Sequence, residues 1–279
     1  MPMWRNWQTH QTQNLAGNHV GSSPTIGTNS IGVREDFYFY MEKLENEKVI
    51  LIQGAMEIEV QCIINSLENK KFTKIAEYEF YEGRINNIKI VVSRTLIGTI
   101  NATMATCIGI TNFNPDIVIN QGIAGAHRKN LHVGDIVIGE KCCNINSYEM
   151  PIKNKGEGSN PLEWELSKRA KDIQQANVNL VDIVEKRLIS NTKNKIYKGV
   201  LGSGDLFSRE YDRIVWINGK FNNLCEDMES IGTYYVCNKF KVPCIGIRII
   251  SNNELLQEKF DEEQAIELQK ILIKILNNL

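Results

Sequence analysis

An excess of charge of either sign is missing from this chain: 32 Lys and Arg stand against 33 Asp and Glu, a formal net charge of −1 over 279 residues. The charges are interspersed, so no basic stripe exists to collect counterions or track a phosphate backbone, and neither nucleic acid nor an anionic membrane is an expected partner. No apolar run approaches the roughly 20 residues a membrane helix needs, and the N-terminus has no apolar segment of the leader kind. A cytoplasmic protein is the expectation. The seven cysteines, odd in number and scattered, do not form a disulfide framework and suit a reducing compartment. Metal-ligand spacing is absent as well, since Cys142 and Cys143 are adjacent and His127 and His132 lie five apart, so no metal is expected. The GSGDLF stretch lacks the third glycine of a dinucleotide fingerprint, and no GK[ST] follows any glycine loop. Redox and ATP-dependent chemistry are therefore disfavoured, and no cofactor is called for.

Residues 1–32 have almost no apolar periodicity and differ in composition from the Ile-, Lys-, Glu- and Asn-rich remainder. They resemble a transfer-RNA gene read as protein: GSSPT can be encoded by GGT TCG AGT CCC ACC, which contains a T-arm sequence. The expectation is a non-native or disordered extension, with a physiological start near Val33 or Met41. Deleting residues 1–32 should leave activity and melting temperature unchanged, and a substantial loss of either would contradict both readings.

What is present, from residue 47 to 279, is one α/β pattern. Strand-like runs are KVILIQ, NIKIVVS, PDIVIN, GDIVIGE, KIYKGVLGS and VPCIGIRIIS, near-continuous in Val and Ile as strands buried on both faces require. Helical patterns cover 57–68, 99–112, 163–176, 208–218, 229–240 and 261–278. They predict a three-layer α/β/α sandwich around a mixed, mostly parallel sheet, with an antiparallel contribution from KIAEYEFYEGRINNIKIVV. The polar segment 150–162 reads as a surface loop and a candidate flap.

Ligands of such sheets sit beyond the carboxyl ends of the strands. That rule gathers GAMEIE, NQGIAGA, GSGDLF, CEDMES and RIISNNE, which together supply carboxylates, an arginine, an asparagine, glycines and an aromatic. The first of them poses a puzzle. A glycine turn entering a helix usually offers N–H groups to an anion, yet this one carries Glu57 and Glu59. Acids at a helix start complement the macrodipole, which suffices for Glu57 as a surface residue. Arg248, inside an apolar strand, needs a buried partner.

In this order the five segments resemble the nucleoside phosphorylase and nucleosidase superfamily, and within it the 5′-methylthioadenosine/S-adenosylhomocysteine nucleosidases. The resemblance implies hydrolysis of a purine nucleoside to free base and (thio)ribose, by a homodimer. It implies that Glu59 activates water at the anomeric carbon and that Arg248 orients that site. Met228 and Glu229 would hold the ribose, Phe207 would stack on the purine with the backbone after it at the base edge, and Met56 and Phe260 would line the 5′ pocket. Cleavage through an oxocarbenium-like sugar needs a base for water, whereas a bound phosphate would be repelled by a carboxylate about 4 Å away with roughly 4 kcal/mol at an effective dielectric of 20. A phosphorylase, and a binding protein that kept the pocket but lost catalysis, are the competing readings.

Two positions depart from the nucleosidase pattern. Asn252 stands where those enzymes usually have an aspartic acid that protonates purine N7; an amide cannot surrender that proton, and asparagine accompanies 6-oxopurines in related phosphorylases. Ile123 stands where many have a serine that helps hold the water, so the water would rest on Glu59, Arg248 and backbone.

Overall fold

A computed structural model describes residues 48–278. The expectation for residues 1–32 lies outside the described residues. Twelve strands are described: β1 (Val49–Gly54), β2 (Glu68–Ile75), β3 (Tyr78–Ile85), β4 (Ile88–Arg94), β5 (Ile117–Ala126), β6 (Ile136–Asn144), β7 (Tyr148–Glu149), β8 (Glu165–Leu166), β9 (Gln174–Gln175), β10 (Ile196–Ser203), β11 (Asn223–Asp227) and β12 (Cys244–Asn252). The helices are α1 (Glu57–Asn65), α2 (Thr99–Phe113), α3 (Val178–Asn191), α4 (Tyr211–Phe221), α5 (Ser230–Phe240) and α6 (Gln264–Asn277).

The main sheet runs β11-β10-β6-β12-β5-β1-β4-β3-β2, with β9 on β6. It is mixed, as expected. Parallel pairings join β1 to β4 and β5, β5 to β12, and β10 to β6 and β11, while β2-β3-β4 forms the predicted antiparallel meander. Helices α1, α3 and α6 form one group and α2 with α5 another, and both groups pack on the sheet. The α1–α6 contact is fixed by Gln269, fully buried, whose amide donates to Ile58 O (2.6 Å) and accepts from Cys62 N (2.9 Å). Buried Ile and Val of β1, β4, β6 and β12 make the core, so the strand ends are rigid mounts for the turns and loops attached to them.

Three elements differ from the sequence expectation. Residues 163–176 form short strands and 3₁₀ turns rather than a helix. The helix starts at Val178 instead, because the Asn177 side chain accepts from Leu180 N and satisfies an orphan donor of the first turn. Strand β11 has no counterpart among the expected strands, since Asn223–Asp227 has charged and polar ends and no long apolar run. The NQGIAGA segment is not a loop but the second half of β5, paired with β12 as far as Asn252 opposite Gly125. Small residues there let side chains of neighbouring elements approach the strand closely.

Candidate active site

Strand β1 ends at Gly54 and α1 begins three residues later, which turns Glu59 back toward the strand ends. Its Oε2 accepts from Ala55 N (2.7 Å) and Met56 N (3.0 Å), as an N3 acid of a helix start does. Its Oε1 does something a capping residue need not do: it accepts from Ile123 N, at 3.0 Å, on β5. The close approach depends on glycine, for a Cβ at Gly122 would lie 2.3 Å from Oε1. Glu59 is buried, and burial raises its pKa above the ordinary value, against the opposing effect of the N–H bonds from Ile123, Met56 and Ala55 and of Arg248. Three N–H donors on about four lone-pair sites leave room for one more. Glu57, by contrast, is exposed, with Arg94 Nη1 at 3.8 Å.

Ile123 thus contributes through its backbone, which no side-chain reasoning could show. Arg248 also departs from expectation. It is 1% exposed, and all five N–H donors are used: Nε to Asp227 Oδ2 (3.0 Å), Nη1 to Asn120 O (3.0 Å) and Ile247 O (3.1 Å), and Nη2 to the Asn120 side chain and Ser230 Oγ (2.8 Å). No donor remains to orient a water directly. Burial pushes the Asp227 carboxyl up, but the guanidinium and the hydroxyls of Ser230 and Ser203 outweigh it and hold the group below the usual carboxylate range. Asp227 in turn accepts from Glu229 N and Ser230 N, fixing the turn from β11 into α5. Arg248 therefore places the backbone around Glu229 and the side chain of Asn120, and acts on the site at one remove.

Glu229, half-buried beside half-buried Met228, accepts from Gly98 N (3.0 Å) and Met228 N (3.3 Å). Its pKa is pushed up to about 8, first by burial and then by the charges of Asp227 and Glu59. Burial and neighbouring charge thus raise two carboxyls, Glu59 and Glu229, at the same end of the sheet.

Phe207 stands 52% exposed on the loop between β10 and α4, with the Arg209 guanidinium 5.9 Å from its ring centre. That loop is pinned at both ends. Asp205 accepts from Thr99 N (2.7 Å) and Thr99 Oγ1 (2.6 Å) at the start of α2, one residue from Gly98. Ser208 donates through N (2.7 Å) and Oγ (2.6 Å) to buried Glu226. Asn252 ends β12, buried, its Oδ1 accepting from Ser251 Oγ (3.0 Å) and its Nδ2 donating to Glu254 Oε1 (3.3 Å). Met56 is half-buried, and Phe260 is 54% exposed between β12 and α6.

Glu59, Ile123, Glu229 and the buried Arg248 thus share one linked set of bonds and charges, while Phe207 and Phe260 stand on separate loops. Asp205, Glu226, Asp227 and Asn120 are the residues sequence reasoning passed over. All four lie inside quoted motifs, so the signal was their placement beside charged or turn residues rather than their type.

The family described as the phosphorylase superfamily matches residues 49–277. A 5′-methylthioadenosine/S-adenosylhomocysteine nucleosidase of Exiguobacterium sp. is 30% identical over 235 residues, covering 82% of this chain and 97% of that protein. One of Bacillus subtilis is 26% identical over 236 residues, covering 82% and 99%. Among solved structures, the nucleosidase of that name from Neisseria meningitidis, in complex with methylthio-immucillin-A, superposes with a TM-score of 0.70 at 24% identity, covering 83% of this chain and all of that one. A futalosine hydrolase mutant of Helicobacter pylori gives 0.67 at 23%, covering 83% and 100%. The last two show a shared fold; the matches to the family and to the Exiguobacterium protein go further, and over residues 49–277 the chain belongs to the phosphorylase superfamily.

Proposed function

We propose that this protein is a nucleosidase that hydrolyses the N-glycosidic bond of a purine nucleoside, the reaction type of the nucleosidases it resembles, and releases free base and (thio)ribose. One observation carries the choice of water over phosphate. The N–H groups of Ala55, Met56 and Ile123, which would otherwise face an anion, are all taken by the Glu59 carboxylate, and the five N–H donors of Arg248 are taken too. A phosphate would meet negative charge instead of donors.

In this reading Glu59 takes a proton from a water as its oxygen bonds to the anomeric carbon. The C–N9 bond breaks and its electron pair leaves with the purine. The raised pKa of Glu59 brings the base nearer to working pH. Glu229 accepts the ribose hydroxyls, Met228 packs on the sugar, Phe207 stacks on the base, and Met56 with Phe260 lines the 5′ end. Leu96, Ile97, Ile100 and Met104 leave exposed apolar surface on and just before α2, beside Gly98 and its bond to Glu229, and a homodimer would cover it. The seven free cysteines suit the cytoplasm. Incubation with a purine nucleoside in phosphate-free buffer should release base over many turnovers; tight occupancy without release would make the protein a binder.

The geometry also sets three smaller tests. Gly122→Ala should displace the Glu59 carboxylate and lower turnover at least about tenfold, since something must shift to relieve the 2.3 Å contact, while Gly219→Ala, where nothing lies within 4 Å, should be silent. Equal activity of the two variants would contradict the placement of Glu59. Glu229→Ala should weaken binding and turnover together, through ribose contacts that serve ground and transition states alike; unchanged affinity would remove it from the site. The third test concerns protons. Free Glu229, at about 8, is mostly protonated at pH 7, and ribose hydroxyls that donate to it favour the charged form and lower that value. Binding should therefore release protons at pH 7 and tighten as pH rises toward 8. Calorimetry in buffers of different ionisation enthalpy reads this directly, and proton uptake would contradict it.

A further inference from the structure

Helices α2 and α5 meet through small residues. The buried face of α2 includes Ala102, Ala105, Thr106 and Gly109, and that of α5 includes Ser230, Gly232 and Thr233. A Cβ at Gly232 would lie 2.6 Å from both Thr103 Oγ1 and Thr99 O, so the helix backbones are in near contact. Between such residues no bulky knob sets the register of one helix along the other. Register matters here, because both helices start at the site: Gly98, which caps α2, donates through its N to the carboxylate of Glu229, which caps α5 (3.0 Å).

A polar cluster supplies what the apolar contacts lack. Thr106 Oγ1 and Thr233 Oγ1 stand 3.2 Å apart across the helix pair, and Gln53 Oε1, near the end of β1, lies 2.9 Å from the first and 3.4 Å from the second. Asn120 Oδ1 accepts from Arg248 Nη2, so Asn120 Nδ2 is the atom that faces Thr233 Oγ1 (3.0 Å), and it can only donate. The Thr233 proton is thereby left for Thr106 or Gln53. All three residues are wholly buried, and Gln53 Nε2 has no partner among the described residues. Leucine at 53 and valine at 106 and 233 would fill similar space with no amide unmatched, so the cluster is kept at a cost in stability. What it provides is direction. Thr233 N donates to Glu229 O (3.3 Å), which sets the hydroxyl pair one helical turn, about 6 Å, from Glu229.

We propose that Thr233 is a positioning residue for Glu229: it locks α5 against α2 through Thr106 and Gln53, and against the Arg248 network through Asn120, so that the carboxylate keeps its place between Gly98 N and the ribose. The inference rests on the nucleosidase reading for the ribose. A valine at 233 keeps the shape but loses both the acceptor for Asn120 and the donor to Thr106 or Gln53, so both supports of Glu229 loosen together.

The test is calorimetric titration with adenosine and inosine and with their 2′,3′-dideoxy counterparts, which lack the hydroxyls that Glu229 accepts. All variants are made in a Glu59→Gln parent, in which the nucleoside is bound and not consumed. The parent should bind a ribonucleoside at least about tenfold more tightly than its dideoxy form, and Glu229→Ala should remove most of that ratio. Thr233→Val should shrink the ratio at least about threefold, Thr233→Ser should restore it, and with Glu229→Ala present Thr233→Val should change it no further. If Thr233→Val fails to fold, Thr106→Val, which removes the other half of the hydroxyl pair, carries the same expectation. A ratio unchanged in the folded variant, affinity lost equally for ribose and dideoxy forms, or the same shrinkage with Glu229 already replaced would overturn the proposal. A parent that binds no nucleoside, or does not distinguish the sugars, would sink the ribose reading and this inference together. Discrimination that depends on Glu229 but not on Thr233 would sink this one alone; discrimination that depends on both, with no base release by the wild type, would sink the hydrolytic reading alone.

Discussion

Glu59→Gln retains nucleoside binding and loses about 10²- to 10⁴-fold in turnover, the span associated with removing a general base. The amide keeps the shape but cannot take the water's proton. It is not otherwise neutral, because both carboxylate oxygens accept N–H bonds and an amide has only one oxygen. The amide nitrogen should turn toward Ile123, the side with a single bond, leaving that N–H unmatched at a cost of about 1–3 kcal/mol. Stability and activity thus fall by separate amounts, and affinity measured by calorimetry stays. The pH profile adds a check. Glu59 must be ionised to act, burial raises its pKa, and so the wild-type rate should fall with acid along a limb lying above the ordinary carboxylate range. A variant that turns over at the wild-type rate would reduce Glu59 to a helix-start acid.

Arg248→Met should be the most destabilising single change near the site. It leaves the Asp227 carboxylate buried with no guanidinium, and breaking such a pair costs about 3–5 kcal/mol. It also strands the acceptors on Asn120, Ile247 and Ser230. Urea unfolding should show the loss in the midpoint with little change in slope. Adding Asp227→Leu should recover part of it, since the uncompensated charge is then gone. A drop below about 1 kcal/mol for the single variant would mean that Arg248 is not the keystone of that network.

The fold was legible because long Val and Ile runs alternate with 3.6-period segments, and five of the six predicted helices lie where expected. The failures have local causes. An amphipathic pattern over 163–176 had no cap, whereas Asn177 supplies one for the next helix; β11 is too short and polar to signal itself. At the site, residue type pointed to Glu59, Glu229 and Asn252, whose chemistry is in their side chains. It could not show Ile123 acting through N–H, Arg248 turned inward, or Glu226 beside Gly125, because backbone donors, saturated valences and strand register exist only in three dimensions.

In the proposed reaction Glu59 is a base for water where a phosphorylase would bind phosphate, and the identity of the sugar product decides between the two. A purine nucleoside is turned over in buffer containing phosphate and the sugar is identified. Free ribose or thioribose, formed at the same rate with phosphate omitted, is the predicted result; a sugar 1-phosphate whose formation depends on phosphate would contradict it.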